Sequence, residues 1–179
     1  MKIYTKTGDT GNTRLFDGTK VRKYDERVDA YGAVDELNAF IGAAASLLDD
    51  ATILDLLVTI QKDLFSVGAQ LADPGFKDQS GAKFKLPAER ITALENAIDN
   101  FETELPPLRQ FILSGGGQAG AMLHVARTVC RRAERRVVSL SEKVEVSPDL
   151  IVYLNRLSDF LFVIARVINH RQGKQEIPW

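Results

Sequence analysis

Four residues on one stretch of the chain could do chemistry together. His124, Arg127, Arg131 and Glu134 recur at spacings of three and four, so a helix would place them in one stripe. Arg127 and Arg131 are like charges one turn apart, which costs a helix a few tenths of a kcal/mol unless something negative lies between or across from them. The counter-charge is a carboxylate elsewhere in the chain or an anionic ligand. One residue round the cylinder, Leu123, Ala126, Cys130, Ala133, Val137 and Leu140 form the apolar seam of a packed helix, so the charged stripe runs beside the core. A solvated basic face is the plainer reading of RRAERR and suits Arg132, Arg135 and Arg136. For Arg127 and Arg131, at the edge of the seam, the anion reading is preferred.

A second group lies near the start of the sequence. TKTGDTGNT, Thr5 to Thr13, has no helical period and reads as a loop within Lys2 to Asp17. Gly8 and Gly11 allow close backbone approach, while Thr5, Thr7, Thr10, Thr13 and Lys6 offer donors for phosphate oxygens. A polar turn is the bland alternative, and the Walker A pattern is absent. Lys20, Arg22, Lys23 and Arg27 then put positive charge ahead of the first helix, where it could simply be solvated.

The elements that must hold these groups follow from hydrophobic spacing. A helix from Val28 to Leu48 carries Tyr31, Val34, Ile41, Ala45 and Leu48 as its stripe. Its small residues Ala30, Gly32, Ala33, Ala39, Gly42, Ala43 and Ala44 permit close helix approach. Asp35, Asn38 and Gly42 lie beside that stripe, making Asp35 a natural partner for one of the two arginines, although it could also be a solvated neighbour of Glu36. A helix over about Ala51 to Ala72 packs through Ile53, Leu57, Ile60, Leu64, Val67 and Leu71. The stretch Asp73 to Lys85 is polar and reads as a mobile loop. Pro87 opens a shorter helix with Ile91, Leu94, Ile98 and Phe101 inward, ending before Pro106 and Pro107. Phe111, Ile112 and Leu113 lead into Ser114 and three glycines, which would let another molecule approach the central helix N-terminus. The last helix, about Pro148 to Gln172, packs through Ile151, Leu154, Leu157, Leu161, Ile164 and Ile168, with Asn155, Asp159 and Arg166 as polar interruptions.

The expected fold is all-α: an up-and-down bundle of about five helices with an N-terminal ligand-binding loop, one domain over 1–179. Composition is ordinary for a globular chain, and net charge −1 gives no global footprint for nucleic acid, so any anion site must be local. The single Cys130 excludes an internal disulfide and sits on the seam as a small core residue. MKIYTKTGD has no apolar signal-peptide core, and FLFVIARVI is short and broken by Arg166, so a cytoplasmic protein with no membrane segment is expected. Neither His124 nor His170 follows a Glu by three residues, excluding a ferritin-like di-iron cage. One Cys and two His also argue against zinc sites and nucleophilic triads.

Four blocks carry a family resemblance: TKTGDTGNT, AYGAVDELNAFIG, FILSGGGQAGAMLHVARTVCRRAERRVV and YLNRLSDFLFVIAR. In this order, and nearly end to end, they resemble the PduO-type ATP:cob(I)alamin adenosyltransferases. The resemblance implies a homotrimer with active sites at subunit interfaces, transferring the 5′-deoxyadenosyl group of ATP to cobalt and releasing triphosphate. By motif position it implies an ATP site of Thr5, Lys6, Thr7, Gly8, Thr13, Arg14 and Lys23, with Arg131, Arg132, Ala133, Glu134, Arg135 and Asn155. It implies an Asp35–Arg127 salt bridge across the interface, and Phe111 as the aromatic that excludes the lower axial ligand of cobalamin. Mg²⁺ would ride on the ATP phosphates without dedicated protein ligands, and a separate flavin-type reductase would supply electrons. Because cobalt(I) is itself the nucleophile, the scarcity of Ser–His or Cys–His pairs suits this chemistry. The competing readings are an ATP-dependent phosphotransferase using the same anion site and a non-enzymatic helical bundle.

Overall fold

The computed structural model describes residues 3–4, 6–76 and 84–179. In chain order the elements are β1 (Asn12–Arg14), β2 (Lys20–Arg22), α1 (Glu26–Ala45), α2 (Ala51–Ala72), α3 (Glu89–Glu102), α4 (Gln118–Ser141) and α5 (Pro148–Arg171). α1 packs between α2 and α4, and α5 between α4 and α3. The Tyr153 hydroxyl on α5 donates to Asp63 on α2 at 2.9 Å, which closes α1, α2, α4 and α5 into one bundle with α3 alongside α5. Arg90 of α3 joins the same carboxylate at 2.8 Å.

Local chemistry sets the helix starts. Asp25 accepts from the Arg27 amide at 2.9 Å and Asp50 from the Ile53 amide at 3.0 Å, each occupying an otherwise unpaired first-turn donor. Pro148 stands in the first turn of α5. The α4 seam is buried throughout, from Leu123 to Leu140. Cys130 lies in it, donates to the Leu154 carbonyl at 3.2 Å, and has its thiol pushed up by burial, so it is a core residue.

Several expectations need correction. The N-terminal stretch is not a plain loop: β1 and β2 form an antiparallel hairpin, Thr13 opposite Val21. Arg27 is not solvated; it lies buried in the first turn of α1, and its guanidinium donates to the Leu71 carbonyl at 2.7 Å, near the end of α2. On α1 the seam is Ala30, Ala33, Val34, Leu37, Ile41 and Ala44, while Gly32, Ala39 and Ala43 face outward. The α3 helix begins at Glu89, just after Pro87. Most of the expected mobile loop, 77–83, lies outside the described residues. Its far end does pack: Leu86 is buried, the Phe84 ring meets Phe16 edge-on at 5.5 Å, and Gln70 donates to the Phe84 carbonyl at 2.7 Å.

The glycines before α4 also serve a purpose other than the expected ligand approach. Asn169 of α5, buried, accepts from the Gly117 amide at 3.0 Å and donates to the Gly115 carbonyl at 2.9 Å. A Cβ at Gly116 or Gly120 would stand 2.2 Å from its Oδ1, and Gly116 has φ +108 besides. The helix N-terminus is therefore occupied by a side chain of the same molecule. Gly120→Ala should displace Asn169, break both hydrogen bonds, and cost about 2 to 4 kcal/mol. Urea unfolding checks this, with Gly115→Ala as the control, because nothing lies within 4 Å of that position. Equal stability of the two variants would refute the clamp.

Candidate active site

The N-terminal hairpin and the loop before it form one wall of cations and hydroxyls. Thr7, Gly8, Thr13, Arg14 and Lys23 line a single cavity of about 600 Å³. Asn12 and Lys20 line it too; the sequence reading did not assign either to ATP, because the pairing of β1 with β2 that places them was not visible in it. The Lys23 amide donates to the Gly11 carbonyl at 3.0 Å, which turns the lysine back over the loop. A Cβ at Gly8 would meet Lys23 Cε and Nζ at 3.3 Å, so glycine makes room for the ammonium. Arg14 donates to the Gly18 carbonyl at 2.9 Å, and the Thr13 hydroxyl is hydrogen-bonded to Tyr31, whose phenol is raised chiefly by burial. Lys6 adopts φ 60, a left-handed conformation that a side chain resists, and its ammonium stands 5.9 Å from the Tyr4 ring. Thr5 lies outside the described residues.

The second group faces a cleft of about 360 Å³ between α3, α4 and α5, where Arg127 and Arg131 both contribute. Arg131 is exposed and, among the described residues, has no hydrogen-bond or ion-pair partner in the chain. Arg127 is half-buried: it donates to Ser114 Oγ at 3.2 Å, lies 5.8 Å from the Phe162 ring centre, and leaves its Nε buried without a partner. Burial and the neighbouring Arg131 both lower its pKa, the repulsion expected of the pair. His124, beside it, is held down to about 4 by burial and then by Arg127, so it is neutral near pH 7.

The remaining α4 positions divide. Glu134 accepts from Asn155 of α5 at 3.0 Å, so these two candidates are brought together. Ala133 is fully buried in the α4 seam, so its side chain faces the core. Arg132 pairs with Glu36, Arg136 with Asp29 at 3.0 Å, and Lys143, just past the end of α4, with Glu26, a ladder of ion pairs along antiparallel α1 and α4. Part of the basic face is thus matched by α1 acids. Arg135 is exposed and has no partner among the described residues.

Two candidates stand apart within one chain. Asp35 is exposed and lines an apolar groove between α1 and α2 with Tyr31 and Phe65; among the described residues it pairs with nothing. Phe111 is 79% exposed, so it is not the core aromatic that its FIL context allowed. It lies in an extended segment bridged to the chain end: Trp179 donates to its carbonyl at 2.9 Å and Leu113 to that of Ile177 at 2.9 Å.

Residues 3–168 match the family model described as cobalamin adenosyltransferase. The chain belongs to the cobalamin adenosyltransferase family. It is 45% identical to the corrinoid adenosyltransferase of Bacillus subtilis, over 100% of this chain and 92% of that one. It is also 45% identical to the corrinoid adenosyltransferase PduO of Citrobacter freundii, but covers only 52% of that longer protein. A phenylalanine-to-alanine variant of the PduO-type ATP:corrinoid adenosyltransferase from Lactobacillus reuteri, complexed with cobalamin and ATP, superposes with a TM-score of 0.92. That match has 39% identity and covers 99% of each chain. As a member of the family the chain is a transferase, an adenosyltransferase acting on corrinoids. No helix among the described residues is long and apolar enough to cross a membrane.

Proposed function

We propose that this adenosyltransferase moves the 5′-deoxyadenosyl group of ATP to cob(I)alamin at a site completed between subunits of a homotrimer, with 1–179 acting as one domain in the cytoplasm. The observation that carries the reading is the division of its cations. Thr7, Gly8, Arg14 and Lys23 line one cavity and Arg127 and Arg131 another, while Asp35 and Phe111 face outward without partners for their side chains. Two half-sites on one chain are what a site shared between neighbours requires.

In the proposed reaction the cobalt(I) electron pair forms a bond to the ribose C5′, the C5′–O bond breaks, and triphosphate leaves with that bond's electrons. The chain supplies placement and charge. Lys6, Lys23, Arg14 and the loop hydroxyls hold the phosphates in line, and Arg131, with Arg132 and Arg135 beside it, stabilises the negative charge growing on the leaving group. Glu134 and Asn155, already joined, offer hydrogen bonds to the nucleoside. Phe111 covers the lower face of the corrin and keeps out an axial ligand, which makes Co(II) easier to reduce. A flavin-type reductase would deliver the electron. Mg²⁺ would enter on the ATP phosphates, beside the chain's own cations.

Incubation with ATP and reduced cobalamin should give triphosphate and adenosylcobalamin. Formation of ADP would instead favour a phosphotransferase, and no turnover a scaffold.

Asp35 and Arg127 are expected to pair across subunits. Arg127 has a buried Nε to satisfy and Asp35 an unpaired carboxylate, so either single substitution by alanine should cost about 3 kcal/mol of assembly or activity. A double-mutant cycle read by sedimentation and turnover measures the coupling; purely additive effects would remove the pair.

A further inference from the structure

Phe111 has little side-chain packing to hold it: it is 79% exposed, so its position is set mainly by its backbone. Two extended segments joined by a single bridge supply that. Residues 111–113 pair antiparallel with 177–179 through the Trp179–Phe111 and Leu113–Ile177 hydrogen bonds, with Ile112 bridged to Pro178. Such a two-stranded ribbon is marginal by itself and needs to be fastened to the bundle.

One residue holds the chain just before 177–179 and, five residues upstream of Phe111, the segment that leads into it. Arg166 of α5 is buried, with only 4% of its side chain exposed, in the middle of an apolar run. Its Nε donates to Glu176 Oε1 at 2.6 Å and its Nη2 to Oε2 at 3.2 Å, a two-pronged grip on the residue just before Ile177. The same Nη2 donates to the Pro106 carbonyl at 3.1 Å, on the segment that leads into Phe111. The Lys174 amide, bonded to the Asn169 carbonyl at 2.8 Å, directs the chain back after α5. Arg166 also stands 5.9 Å from the Phe162 ring centre, which Arg127 approaches at 5.8 Å from the second cleft, while the cavity around Lys23 is lined by neither Arg166 nor Glu176.

We infer that Arg166 and Glu176 are positioning residues that strap the Phe111 strand to the bundle and so set the height of its ring against the corrin. A buried arginine inside an apolar helix face is costly to keep unless it is paired in this way. The strap rests on the proposed role of Phe111 for its function, but its structural half can be tested without substrate.

The experiment uses the full chain and three variants: Glu176→Ala, Glu176→Gln and Phe111→Ala. In the free protein, amide hydrogen exchange at Leu113 and Trp179 should quicken about tenfold or more in Glu176→Ala, with the Gly117 amide, held by Asn169, unchanged. Glu176→Gln keeps an acceptor for Arg166 and should fall between; it carries the test if stranding the arginine prevents Glu176→Ala from folding. With ATP and cob(II)alamin, the four-coordinate Co(II) fraction should fall in the Glu176 variants while KM for ATP stays within about twofold, a split that general destabilisation would not give. Unchanged exchange at Leu113 and Trp179 would overturn the strap. If Phe111→Ala abolishes four-coordinate cobalt and the Glu176 variants do not, the pair does not position the ring. If Phe111→Ala itself leaves the cobalt spectrum unchanged, the reading of Phe111 fails, and with it the strap's effect on cobalt.

Discussion

Arg131→Ala is expected to lower turnover about a hundredfold at saturating ATP, the loss of about 3 kcal/mol of transition-state stabilisation. The residue is exposed, has no partner in the chain among those described, and repels Arg127 across one turn of α4. Nothing buried is orphaned by removing it, so the folding stability should stay within about 0.5 kcal/mol of the parent. A drop in turnover with an unchanged unfolding midpoint therefore isolates a role toward the leaving triphosphate. Near-normal turnover at saturating ATP would exclude that role.

Phe111→Ala should give a defect that depends on the redox state supplied. When the enzyme must generate Co(I) from bound cob(II)alamin, water or the lower ligand can return to cobalt, and turnover should fall by about a hundredfold or more. When free cob(I)alamin is provided, the loss should be much smaller. The ring is 79% exposed, so truncation removes little buried area and should leave stability within about 1 kcal/mol, against the 3 to 5 kcal/mol expected of a core phenylalanine. Parallel assays from the two cobalt states, with spectra of bound Co(II), decide the matter. Equal losses in both assays would point to a structural role instead.

The helices were legible because the 3.6-residue period is written into the sequence: the seams of α2 and α4 are buried as their spacing implied, and that of α5 from Leu154 to Ile168, with Ile151 only half-buried. On α1 the period was read one residue off in places, since alanine and glycine occur on both of its faces and mark neither. The cations of the active-site halves were legible as residue types at set spacings. Their grouping was not, because the cavity around Lys23 depends on a hairpin whose strands are only three residues each. What escaped altogether were contacts between parts of the chain far apart. The ladder from Glu26, Asp29 and Glu36 to α4 spans about a hundred residues or more, and Asn169 reaches back some fifty to the glycines. Local pattern carries no record of such pairings. It did leave a trace in Gly116, one of the three glycines expected to make space for a ligand, when the space is for an amide, and a second in Gly120, to which no role was given.

That amide gives positions 116, 120 and 169 a shared history. A lone change from glycine at 116 or 120 collides with Asn169, and a lone change at 169 abandons the Gly117 amide and the Gly115 carbonyl. Any mutational route away from this arrangement must cross a poorly folded intermediate, a valley of several kcal/mol for a protein with only about 5 to 15 in reserve. The three sites should accordingly drift as one inherited unit, and Asn169→Ala should make Gly120→Ala tolerable, so that the second substitution is far less damaging in that background than alone.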